Sequence, residues 1–217
     1  MRALRIAFGL AAWALAACGG GGGDGGNDGP TPPPPPSGSQ TLGSITTNVT
    51  SLSMTAGEIE IITVTALDTE NKVIASIPTP SFTSQNDDVV EVSATGQVIA
   101  VGAGQTTIGV SVTRNGITKT AQVAVTVTGQ LPQTATVVAS SADYIFTPRD
   151  VVIRAGGSVD WTFGSLEHTV YFQGGAGAPA NIASGLNTTV SRSFSQTGNF
   201  AYSCTIHPGM SGTVIVR

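Results

Sequence analysis

Histidine and cysteine are scarce in this chain, with two of each in 217 residues. Two histidines cannot build several His-rich metal centres, so a multi-centre metalloenzyme is excluded for this chain alone. Basic residues are also few, with 9 Lys and Arg against 13 Asp and Glu, and they form no patch. That balance argues against nucleic acid or anionic headgroups as partners. No G-x-S-x-G, P-loop or paired-carboxylate motif occurs, which leaves hydrolase and nucleotide chemistry without support. A membrane-spanning helix needs about 20 apolar residues. The run from Ile6 to Leu15 falls short of that, and no other stretch reads as transmembrane.

What is present begins with a basic start at Arg2 and Arg5, the short apolar run, and Leu15-Ala16-Ala17-Cys18. This is the layout of a targeting segment. Leu-Ala-Ala-Cys resembles the lipobox of bacterial lipoprotein signals, which implies a leader over 1–17 and lipidation of Cys18. Residues 18–41 then form a tether, Gly-rich first and stiffened by Pro32 to Pro36 at roughly 3.1 Å per residue. The expected location is therefore a bacterial membrane surface, the outer membrane facing periplasm or exterior, with the chain anchored rather than spanning.

Residues 42–129 read as all-β. Ile59–Ala66, Val89–Val92, Val98–Val101, Ile108–Val112 and Val123–Val127 are short β-branched runs. Asn115-Gly116 between two of them predicts a tight hairpin, because both residues tolerate positive φ. Regular short strands suggest a sandwich, and the lack of Cys…Trp…Cys sets it apart from antibody domains. The stretches Leu52-Ser53-Met54-Thr55-Ala56-Gly57, Phe82-Thr83-Ser84-Gln85-Asn86, Gly96 to Gly104 and Val123 to Val127 resemble the bacterial Ig-like group 2 module. That resemblance implies a fold, not an activity. This part holds neither His nor Cys and carries the acid excess: Glu58, Glu60, Asp68, Glu70, Asp87, Asp88 and Glu91 against Lys72, Arg114 and Lys119.

Residues 134–217 are β again: Thr134–Ala139, Asp150–Arg154, His168–Phe172, Thr189–Phe194, Asn199–Cys204 and Thr213–Val216, with Val159, Trp161 and Phe163 on one face at period two. Both histidines and the remaining thiol fall here, in Glu167-His168-Thr169-Val170 and in Tyr202-Ser203-Cys204-Thr205-Ile206-His207-Pro208-Gly209-Met210. Two imidazoles, a thiolate and a long axial thioether make the type 1 copper donor set. The candidate ligands are His168, Cys204, His207 and Met210. With Cys18 lipidated, Cys204 would be an unpaired thiol in an oxidising compartment, a liability unless it is engaged.

Phe146-Thr147-Pro148-Arg149-Asp150-Val151-Val152-Ile153 through Trp161, then His168-Thr169-Val170, resemble the plastocyanin/amicyanin family of cupredoxins. The short Cys-x₂-His-x₂-Met ending is similar to amicyanin in particular. The resemblance implies a Greek-key β-barrel or sandwich holding one type 1 copper ion, with ligand roles for the same four residues. Thr169 departs from the family, many of whose members place there an Asn that braces the ligand loop. It also implies that His207, flanked by Ile206 and Pro208, is the electron port where a redox protein docks, with Ala178 and Pro179 beside it. The implied function is that of a single-electron carrier, not an enzyme, and a monomer is expected. The alternatives are a copper storage, delivery or sensing lipoprotein, and a cell-surface adhesion or spacer protein with an accessory copper domain. Four acids from residue 134 onward (Asp143, Asp150, Asp160, Glu167) face four arginines (Arg149, Arg154, Arg192, Arg217), so long-range steering should be weak. The short joint at Gly129–Gln133 suggests that the two β parts fold independently.

Overall fold

Inward-facing apolar residues at every second position build two β-sandwiches in a computed structural model that describes residues 40–217. The leader, Cys18 and most of the tether lie outside the described residues. The first sandwich uses β1 (Leu42–Thr47), β2 (Ser51–Thr55), β3 (Ile59–Ile61), β4 (Val64–Asp68), β5 (Ser81–Ser84), β6 (Val90–Val92), β7 (Gln97–Ala100), β8 (Gly104–Arg114) and β9 (Ile117–Thr128). These form sheets β2-β9-β8-β5, β3-β7-β6 and β1-β4. The second uses β10 (Thr134–Ala139), β11 (Phe146–Thr147), β12 (Asp150–Ile153), β13 (Gly157–Phe163), β14 (His168–Phe172), β15 (Ile182–Gly185), β16 (Thr188–Phe194), β17 (Gly198–Ser203) and β18 (Ser211–Val216). Its sheets are β11-β10-β13-β16 and β12-β18-β17-β14-β15. The fold class is all-β, and among the described residues no helix is long and apolar enough to cross a membrane.

The Asn115-Gly116 hairpin forms as expected, with φ of 51° and 77°, and joins the long strands β8 and β9. The run from Ile59 to Ala66 is not one strand. β3 pairs with β7 and β4 with β1, so the chain changes sheets at Ile62 and Thr63. The Asn48 side chain secures that crossing, donating to the Ile61 carbonyl and accepting from the Thr63 N–H at 3.0 and 2.8 Å. In the second sandwich Val159, Trp161 and Phe163 do share the inner face. Trp161 meets Phe172 and Tyr202 edge-on at 5.8 and 5.4 Å between ring centroids. Such pairs add about 0.5–1.5 kcal/mol each beyond the area they bury.

The two cores are separate clusters, but the joint between them is not loose. Val152 and Ile215 are cross-strand partners on the outer face of β12 and β18. They are 2% and 4% exposed because they pack on Ile99 with Ile59, Val101 and Leu131. Ile59 and Ile99 are themselves cross-strand partners on β3 and β7. Arg217 Nε donates to Glu91 at 2.7 Å beside this contact. Each fully buried Val or Ile contributes about 1.5–3 kcal/mol, so the two sandwiches share an apolar contact in addition to the short joint at Gly129–Gln133. The described residues form one compact unit, and β12, an edge strand, is covered by the first sandwich.

Candidate metal centre

Strand register brings the donors together. On β17 the inward positions are Phe200 and Tyr202, and the same period carries Cys204 inward one step past the strand end. On β14 the inward positions are His168, Val170 and Phe172. The pairing of Tyr171 with Ser203 and of Phe172 with Tyr202 sets the two donor-bearing ends side by side. The loop from Cys204 to Met210 is closed at its base by the Cys204 N–H, which donates to the Met210 carbonyl at 2.9 Å. The Met210 N–H donates to the His207 carbonyl at 3.3 Å, and Gly209 takes the φ of 84° that this turn requires. Met210 is 1% exposed beneath that loop.

The two Nδ1 atoms of His168 and His207 stand 3.1 Å apart, and Cys204 Sγ lies 3.5 Å from His207 Nδ1 and 4.0 Å from His168 Nδ1. Donors that each hold one first-row ion at about 2.0–2.3 Å lie at separations of this order from one another. His168 is fully buried, and desolvation, followed by the His207 charge, pushes its pKa down. The imidazole is therefore kept neutral with its lone pair available, which is what metal ligation needs. Its other ring nitrogen, Nε2, is buried and has no hydrogen-bond partner among the described residues. The orientation of Nδ1 toward the thiol is thus not dictated by a bond at the far side of the ring. Two imidazole nitrogens, a thiolate and a buried thioether residue fit copper in both oxidation states better than a hard cation.

Thr169 braces the loop despite replacing the amide expected there. Its Oγ1 accepts from the Thr205 N–H at 2.8 Å and lies 3.0 Å from Thr205 Oγ1. Its own N–H and hydroxyl approach Cys204 Sγ at 3.5 and 3.8 Å. Donors to the sulfur stabilise thiolate charge and so help set the redox potential of such a site.

Around the donors, Ile206 is 45% exposed, Pro208 is exposed and His207 is half-buried. Tyr144, Ile145, Leu166 and Leu186, in loops at the same end of the sandwich, are also exposed. Sequence reasoning passed over these four; the signal was large apolar residues set in short polar loops. Pro179 does not belong to this face. β14 runs away from the site, and Pro179 sits in the loop after it, where Gly177 abuts Gln196 just ahead of β17. Cys204 is at the other end of β17, so Ala178 and Pro179 lie at the opposite end of the sandwich, and their expected part in docking is withdrawn.

Amicyanin-alpha of Methylorubrum extorquens is 37% identical to this chain over 76 residues, 33% of the chain and 64% of that protein. The chain thus spans a little under two thirds of that relative's length. Among solved structures, amicyanin from Paracoccus versutus shares 27% identity at a TM-score of 0.35, covering 39% of this chain and 81% of that one. A purple cupredoxin from Nitrosopumilus maritimus shares 21% identity at a TM-score of 0.34, covering 38% and 99%. No protein-family model matches the chain. The sequence likeness to amicyanin and the convergence of His168, Cys204 and His207 make the second sandwich cupredoxin-like.

Proposed function

We propose that this protein is a type 1 copper protein that carries single electrons, with His168, Cys204 and His207 as the strong ligands and Met210 as the weak axial one. The observation that supports this most is the meeting of two Nδ1 atoms and one Sγ within 4.8 Å, on a buried floor. Copper bound there would supply a one-electron couple, and four protein donors leave no ligand position for a substrate. The protein's own contribution is rigidity. Burial of His168 and Met210 keeps water from the donors, while Thr169 and Thr205 tie the ligand loop to β14. A framework that moves little lets either oxidation state be held without rearrangement.

Electrons would pass through His207, the half-buried donor, to a redox protein docking over Ile206 and Pro208. An exposed apolar patch around a functional residue is the usual mark of such a surface. The rest of the proposal concerns placement: a lipid on Cys18, a Gly/Pro tether, and an Ig-like first sandwich that holds the copper sandwich away from the membrane.

Addition of Cu(II) to the copper-free protein should produce an intense blue colour at one equivalent. Electron self-exchange should be much faster than copper loss to a chelator; the reverse order would favour copper storage or delivery through the same donors. Cys18→Ser should release the protein from membranes, and continued tight association would remove the lipid anchor from the proposal.

A further inference from the structure

We propose that Tyr144 is a positioning residue for His207, holding its imidazole in the orientation that points Nδ1 at the other donors. The inference rests on His207 being a copper ligand.

Tyr144 lies in the loop between β10 and β11. Its φ is 51°, a left-handed conformation that a bulky L residue rarely adopts. Its side chain is 47% exposed, so burial does not account for the strained backbone. The ring contact does. The Tyr144 ring centroid stands 4.7 Å from that of His207, with the planes tilted by 38°. His168 stands 4.7 Å away as well, tilted by 54°. The His207 imidazole thus has one fellow donor and one non-donor aromatic as ring neighbours.

The loop that presents Tyr144 is braced. Ser140 Oγ accepts from the Ala142 and Asp143 N–H groups, each at 3.3 Å. The Ser140 N–H donates to the Ile145 carbonyl at 2.9 Å, closing the loop around Tyr144. The ligand loop is less constrained at its tip. It is bonded through Cys204 and Met210 at its base and through Thr205 to Thr169, but Ile206, Pro208 and Gly209 on either side of His207 are exposed. His168 needs no such support because it is fully buried. An aromatic neighbour on His207 does for the half-buried donor what the core does for the buried one. Strained conformations of this kind persist where the surroundings over-determine them and a site makes use of the result.

The test uses the full chain and the variants Tyr144→Phe, Tyr144→Gly and Tyr144→Asn. Gly and Asn accept the left-handed φ, so the loop keeps its path when the ring is removed. In the copper-free chain, the ring-current shift of the His207 ring protons should persist in Tyr144→Phe and vanish in the other two. With copper bound, the ring-less variants should lose metal to a chelator about two- to tenfold faster, the effect of one aromatic pair. Their charge-transfer band should also move, while Tyr144→Phe stays with the unaltered protein. Unchanged His207 shifts and copper-loss rates in Tyr144→Gly and Tyr144→Asn would overturn the inference and leave the copper assignment standing. A chain that takes up no copper, although its His207 shifts respond to Tyr144→Gly, would overturn both.

Discussion

The first and second sandwiches obey the same packing rule, with β-branched and aromatic residues at every second position facing a shared core, yet only the second assembles metal donors. The difference shows where two comparable strands end. On β9 the inward series Val123, Val125, Val127 ends with Val127, and Gly129, the next position of that series just past the strand, is exposed. On β17 the inward series Phe200, Tyr202 runs one step further and delivers Cys204. A thiol at that step meets His168, which opens the inward series of the neighbouring strand. The core rule is therefore neutral with respect to chemistry. Function arises where the period continues past the hydrogen-bonded strand and places donors on a floor already dry.

The sharpest way to break that contrast is Cys204→Ser. The blue colour should disappear entirely, because the charge-transfer band belongs to the copper–thiolate bond, while the melting of the first sandwich stays in place. An equally blue variant would end the type 1 assignment. Next in size is the surface that unites the two halves. Ile215→Asp puts a charge between β18 and Ile99, and should lower the stability of the whole chain by about 2–4 kcal/mol. The copper spectrum should be unchanged, since Ile215 faces away from the donors. Denaturant melts followed separately at 280 nm and at the copper band would show it, and an unaltered midpoint would mean that the two halves do not press together in solution.

A smaller effect is expected of Thr169→Ala. Removing the two hydrogen bonds that tie β14 to Thr205 of the ligand loop should cost about 1–3 kcal/mol and shift the reduction potential, readable by voltammetry. The smallest belongs to the first sandwich alone. Asp68 accepts from the N–H groups of Lys72 and Glu70, both at 2.9 Å, and from Gln40 at 3.2 Å. The Lys72 N–H bond is the leading cause of a carboxyl held below its usual value, and burial works against it. A depressed folded pKa stabilises the fold above the unfolded value, and that contribution is lost as pH falls through the folded one. Acid melts should thus weaken the first sandwich below the ordinary carboxylate range, and Asp68→Asn should flatten that dependence.

The strands and the donors were legible in different degrees. Val159, Trp161 and Phe163 were readable because period two needs no partner to be recognised. Asn115-Gly116 was readable because few residue pairs accept two positive φ values. His168, Cys204, His207 and Met210 stood out through scarcity and spacing. The division of Ile59–Ala66 into two strands was hidden, since an apolar run looks the same whether or not it changes sheets. Pro179 was misplaced because a family resemblance does not say to which end of this sandwich its loop returns.

By itself, then, the amino-acid sequence determined the inward-facing positions, the tight hairpin and the identity of the donor atoms, all of which follow from local chemistry and a short period. Tertiary structure alone decided that Val152 and Ile215, apolar on a face that alternation would give to water, lie against Ile59 and Ile99. It also decided that Thr169 meets Thr205 and that Tyr144 rests on His207. Each of these contacts joins residues far apart in the chain, and the free energy of such a contact exists only once both elements are already in place.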